Sequence, residues 1–136
     1  MILKRSALLI LLLFTATFNL SCELDPRPYG PSLEADRSDL ASEFIGNLVA
    51  EDYNSATAFF NAQMRRVVPE RNLQRAWEGV LAQMGSYEGE AEKYLEEVEG
   101  LEAVNVITDF TEGQLNIRIL FDDDNQITGL WFNPVE

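Results

Sequence analysis

Val104-Asn105-Val106-Ile107-Thr108-Asp109-Phe110-Thr111-Glu112-Gly113-Gln114-Leu115-Asn116-Ile117-Arg118-Ile119-Leu120-Phe121 is the stretch that decides the fold. Val104, Val106, Thr108 and Phe110 alternate with Asn105, Ile107 and Asp109, and Leu115, Ile117, Ile119 and Phe121 alternate with Asn116, Arg118 and Leu120. Successive side chains of a strand point to opposite faces, so this period of two predicts two strands with one apolar face each. Thr111-Glu112-Gly113 between them is a tight turn, which makes the strands antiparallel neighbours. Val104, Val106, Thr108, Leu115, Ile117, Ile119 and Phe121 then face inward, and that set contains no acid.

Working outward, Asp122 to Gln126 reads as a further turn, and Ile127 to Phe132 as a last strand closed by Pro134. Before the stretch, Ser86 to Val98 carries Tyr87, Ala91 and Leu95 at every fourth position, a spacing that suits a strand or a helix; Gly89 and the turn context favour a strand. Ahead of it the period lengthens to that of amphipathic helices. Leu40, Phe44, Ile45, Leu48 and Val49 predict a first helix between Asp36 and Glu51, with Asp36 and Asp39 near its start, where unpaired amides and the helix dipole favour carboxylates. Asp52 caps a second helix with the stripe Ala56, Phe59, Phe60, Met64, Val67 and Val68, stopped by Pro69. Leu73, Ala76, Trp77, Val80, Leu81 and Met84 form the third, ended by Gly85 as a left-handed cap. The expected fold class is α+β: three helices packed on a four-stranded antiparallel sheet, in one domain spanning 36–136.

The N-terminus is organised for export. Lys4 and Arg5 precede an apolar run from Ala7 to Phe18, and Leu20-Ser21-Cys22 follows. A charged start, a short apolar run and a small residue form a secretory signal; crossing a bilayer takes about 20 apolar residues. The segment resembles a bacterial lipoprotein signal, carried by Leu20, Ser21 and Cys22, although Asn19 stands where that pattern usually has Leu. The resemblance implies cleavage after residue 21 and lipid attachment at Cys22, the chain's one cysteine, and hence a membrane-anchored lipoprotein of the cell envelope. Two or more acyl chains give stable anchoring. Residues 22–35 include Pro26, Pro28, Gly30 and Pro31 and read as a tether, whose 13 residues after the cysteine span about 40 Å if polyproline-like.

Composition excludes several classes of function. The 136 residues hold 10 basic and 23 acidic residues and no histidine, for a net charge of −13. The signal carries two of the bases and none of the acids, so the remainder has 8 bases against 23 acids and a net charge of −15. Nucleic-acid binding depends on neutralising phosphates with Lys and Arg, and this balance argues against it. No G-x-S-x-G elbow is present, and without histidine no Ser-His-Asp triad assembles. Asp122-Asp123-Asp124-Asn125 lacks the alternating ligands, central glycine and distal glutamate of a calcium loop, so it is read as turn chemistry. No metal and no cofactor is expected. The Glu88–Glu102 stretch is densely acidic, with Glu88, Glu90 and Glu92 sharing one strand face. Arg65, Arg66, Arg71 and Arg75 could supply its basic counterpart.

The run Phe44 to Phe59 with Val49-Ala50-Glu51-Asp52-Tyr53, then Met64, Leu73, Trp77 and Gly85, and finally Leu115, Ile117, Phe121, Asp122, Gly129, Leu130, Phe132 and Pro134, resembles a bacterial domain of unknown function. That domain occurs alone in exported proteins or ahead of α/β-hydrolase-type peptidases. The resemblance implies a cone-shaped, nuclear-transport-factor-two-like (cystatin-like) fold, with helices in the hollow of a curved sheet. Tyr53, Phe60, Trp77, Thr108, Phe121 and Trp131 are then the pocket candidates at the mouth, the aromatics offering area and Thr108 an orienting hydroxyl. No catalytic residue is assigned. The expected role is non-catalytic: a lipid-anchored envelope module binding a small apolar ligand or a protein partner. The alternative is a small enzyme of the same fold group using an inward tyrosine or carboxylate.

Overall fold

The computed structural model describes residues 36–136; the export segment 1–21, Cys22 and the tether 22–35 lie outside the described residues. Four helices precede four strands: α1 (Arg37–Val49), α2 (Tyr53–Thr57), α3 (Ala62–Val67), α4 (Glu70–Met84), β1 (Tyr87–Val98), β2 (Leu101–Phe110), β3 (Gly113–Phe121) and β4 (Ile127–Val135). The strands form one antiparallel sheet in the order β1-β2-β3-β4.

The helix count corrects the expectation of three. The apolar stripe from Ala56 to Val68 does not run through one helix. At Phe60 the chain becomes extended and forms a parallel bridge to Ile127, with Asn61 N–H donating to Ile127 O (3.0 Å) and Ile127 N–H to Phe59 O (2.7 Å). The Asn61 side chain then caps a new helix by accepting from Met64 N–H at 2.8 Å. A side-chain cap and two cross-links to the sheet outweigh the continuity of the helical stripe. Val49 and Val67, both placed in buried stripes from the sequence, are exposed because each sits at a helix end beyond the sheet-facing side. The other starts and stops agree with expectation. Asp36 accepts from Ser38 N–H (2.9 Å) and Asp52 from Ser55 N–H (3.1 Å), and Pro69 precedes α4. Gly85 ends α4 at φ +84°, ψ −151°, outside the left-handed helical region, and a Cβ there would collide with the Thr111 hydroxyl.

In β2 and β3 the alternation reads as the sequence implies. Val104 pairs with Ile119, Val106 with Ile117 and Thr108 with Leu115, and these side chains pack under the helices with Phe44, Leu48, Phe60, Leu73 and Trp77. Two corrections concern the edges. Register shifts between Tyr87 and Gly89 and between Glu90 and Glu92 put Glu90 opposite inward Thr108 and Glu92 opposite outward Ile107, so the acids of β1 do not share a face. A bulge adds a residue to one strand and flips the alternation. Pro134 does not close β4 but lies inside it, opposite Leu115; an edge strand tolerates proline because its free side needs no donor.

The charges also pair differently from expectation. Glu90 bonds Lys93 (3.7 Å) and accepts from the Ser42 hydroxyl of α1 (2.9 Å), Glu96 bonds Arg118 (3.2 Å), and Glu102 bonds Arg37 (3.5 Å). Arg65 donates instead to the carbonyls of Thr57 and Ala58. The arginines around Pro69 make no ion pair with the acidic stretch among the described residues.

Candidate functional site

Five of the six pocket candidates fill the interior. Tyr53 of α2, Phe60 before α3, Trp77 of α4 and Phe121 of β3 belong to one buried apolar cluster. The Trp77 ring lies 6.0–6.5 Å from those of Phe110, Phe132 and Tyr87, and Phe60 lies 5.8 Å from Phe44. The Thr108 hydroxyl donates to Leu115 O at 2.8 Å, so it is occupied within the sheet rather than offered to a ligand. Tyr53 is the exception in its polarity. Its hydroxyl is buried with no hydrogen-bond partner among the described residues. Burial, then the Glu51 and Glu78 carboxylates, push its phenol above the ordinary value of 10.0, which keeps it neutral at physiological pH.

Trp131 leaves the set. It stands opposite Arg118 in the β3–β4 register, on the face away from the helices, and is 44% exposed. The Arg118 guanidinium lies over its ring at 5.4 Å. The ring folds back over Gly129, where a Cβ would come within 2.6 Å of it. Trp131, Arg118, Asn105 and Tyr94 form a row across all four strands. Asn105, though on this outer face, is buried: its amide donates to Glu96 (3.0 Å) and its carbonyl accepts from Asn116 (3.0 Å). The outer face is thus covered by its own long polar and aromatic side chains.

The acidic turn is likewise self-contained. Asp122 Oδ1 accepts from the N–H groups of Asp124 (2.9 Å) and Gln126 (3.0 Å), and Oδ2 accepts from Asn61 (3.2 Å). Among the described residues no group of three or more His, Cys, Asp or Glu side chains is arranged to hold a metal ion.

A groove of about 280 Å³ lies between α4 and the adjoining parts of β3 and β4, lined by Arg75, Ala76, Gly79, Val80, Gln83, Met84, Leu115, Phe132 and Pro134. None of the six sequence candidates lines it. It exists because α4 turns small residues toward this side: Gly79 has nothing within 4 Å of where a Cβ would stand. Phe132 joins the groove to the core through its contact with Trp77. The sequence signal for this site is the spacing of Arg75, Gly79 and Gln83, four residues apart and therefore on one helical face. A glycine at the centre of that face is unexpected in a helix interior.

Helices ahead of a four-stranded antiparallel sheet, with a shallow groove beside α4 and a buried, unpartnered tyrosine hydroxyl, define an α+β module. Residues 41–130 match the family described as protein of unknown function (DUF3887), and the chain belongs to that family. A solved structure, the NMR structure of a protein from Ruminococcus gnavus ATCC 29149, has a similar fold, with a TM-score of 0.55 and 16% identity over 74% of this chain and 93% of that one. No curated protein matches the chain.

Proposed function

We propose that this protein is a non-catalytic, lipid-anchored module of the bacterial cell envelope that binds a small apolar ligand in the α4–β3–β4 groove. The observation that carries the reading is the groove itself: an apolar floor of Leu115, Phe132 and Pro134 left open beneath the Gly79 side of α4. Its volume is at the low end for ligand sites, which suits a small molecule. The anchor reading rests on Leu20-Ser21-Cys22 after the apolar run. The bulges in β1 and the irregularity in β4 are consistent with a sheet bent into the cone of the nuclear-transport-factor-two-like group, and the helices pack on one of its faces. In that geometry the cone is filled by Phe60, Trp77 and Phe121 and the ligand sits beside it.

One observation favours the enzyme alternative, the buried and unpartnered Tyr53 hydroxyl. Its raised pKa makes it a donor rather than a base, and the Glu51 and Glu78 carboxylates that act on it belong to residues exposed to solvent rather than to the buried interior.

Two measurements test the proposal. Cells fed labelled fatty acid should label the wild type and not Cys22→Ser; unlabelled, released wild type would sink the anchor. Small apolar compounds should raise the melting temperature of the wild type, and Gly79→Leu, which fills the groove, should abolish the shift. A ligand at 100 times its dissociation constant stabilises by about 2.7 kcal/mol. Turnover of any substrate that is lost in Tyr53→Phe would replace binding with catalysis.

A further inference from the structure

We infer that the groove's ligand is a linear amphiphile with an anionic head, its alkyl chain lying along α4 over Leu115 and Phe132 and its head held by Arg75. This rests on the groove reading above and names its chemistry. Arg75 and Gln83 are the polar side chains of the lining. Eight residues of helix separate them, about 12 Å of rise, so the lining is a strip of apolar surface with a cation at one end. A chain with one charged end matches that layout.

The charge of Arg75 is the second support. Among the described residues Arg37, Lys93 and Arg118 each pair with a carboxylate, whereas Arg75 and Arg71, one turn earlier on the same helix, make no ion pair. On a chain with 23 acids, two neighbouring exposed arginines without partners present a local positive site to an anion. The edge of β4 argues against an extended peptide as occupant. Pro134, which lines the groove, has no N–H to donate, and Ile127 at the strand's other end is already bridged to Phe60. A peptide strand laid along the groove end of β4 would meet no donor at Pro134, whereas an alkyl chain needs none.

The test is photolabelling of the full chain with a diazirine-bearing decanoic acid and with the alcohol of the same length, adducts being mapped by mass spectrometry. The expected result is adducts of the acid on the segments around Val80–Met84 and Phe132–Pro134. Arg75→Gln should weaken that labelling about tenfold, the size of one charge-assisted contact. Gly79→Leu should abolish it with no loss of melting temperature, since the helix gains a better former and the new side chain enters open space. The alcohol should label weakly, and equally in wild type and Arg75→Gln. Equal labelling by acid and alcohol, unaffected by Arg75→Gln, would overturn the anionic head and leave the groove reading standing. No groove adduct with either probe would overturn both. Displacement of the acid probe by an apolar peptide with a free C-terminal carboxylate, at lower concentration than decanoate, would replace the amphiphile with a peptide end.

Discussion

Trp77→Ala and Trp131→Ala should differ severalfold in cost, because the sheet separates the two rings. Trp77 is 1% exposed, and its ring meets Tyr87, Phe110 and Phe132. Truncation forfeits those contacts and opens a cavity among residues held by α4 and three strands, which costs about 3–5 kcal/mol. Trp131 is 44% exposed; it loses the stacking of Arg118, about 0.5–1 kcal/mol, and part of one ring's burial. Its removal should cost about 1 kcal/mol and leave the core intact. For a domain of this size each kcal/mol moves the melting temperature by roughly 4–8 °C, so the two variants separate clearly. Far-UV circular dichroism in urea is the assay, since fluorescence would lose its reporter, and the urea slope should stay constant. A loss below about 1 kcal/mol for Trp77→Ala would mean that α4 presents another face to the sheet. A loss of the same size for Trp131→Ala would mean a β4 register slipped by one residue, which exchanges inward and outward side chains.

Asn61→Ala should cost about 1–2 kcal/mol in urea unfolding, because it removes the α3 cap and the bond to Asp122 together; a neutral result would show that neither holds the break between α2 and α3. Alkaline stability should fall through the tyrosines. Tyr87, raised by burial and then by Glu90, and Tyr53 keep their protons in the fold above pH 10.0 while the unfolded chain has lost them. Their stabilisation is therefore complete below pH 10.0 and is lost as pH rises through the folded values, and Tyr53→Phe with Tyr87→Phe should flatten that limb. Gly85→Ala should lower the melting temperature through its positive φ and the collision with Thr111, with Thr111→Ala relieving part of the loss; an unchanged melting temperature would refute the tight α4–β1 corner.

Most of the fold was legible because it rests on periodicity. The alternation of Val104 to Phe121 identified the central hairpin and its inward face, and capping residues such as Asp36 and Asp52 marked helix starts. The break at Phe60 was not legible, because Ala56, Phe59, Phe60 and Met64 keep helical spacing through it. What interrupts them is a hydrogen-bonded bridge to Ile127, a partner more than sixty residues away. Local pattern also fails at bulges: Glu88, Glu90 and Glu92 alternate in sequence but not in space. The site was less legible still. Large aromatics are as suited to filling a core as to lining a pocket, and Phe60, Trp77 and Phe121 fill the core here.

Glycine alone does not mark the groove. Gly46 sits inside α1 with nothing within 4 Å of its Cβ position, as Gly79 does inside α4. Each costs its helix about 0.5–1 kcal/mol relative to alanine. The difference lies in what is nearby. Elsewhere the domain's own chain engages several of its surfaces: β4 begins under the Phe60 bridge, β1 is tied to α1 through Glu90, Lys93 and Ser42, and Arg118 pairs with Glu96 and stacks on Trp131 across the outer sheet face. Gly79 lines the same groove as Phe132 and Leu115, so a leucine at this position would extend toward their surface while improving the helix. A departure from local preference that also forgoes burial falls where natural sequences place function rather than stability. On the proposed groove reading, Gly79→Leu is the substitution that separates the two, keeping or raising the melting temperature while abolishing the ligand-induced shift.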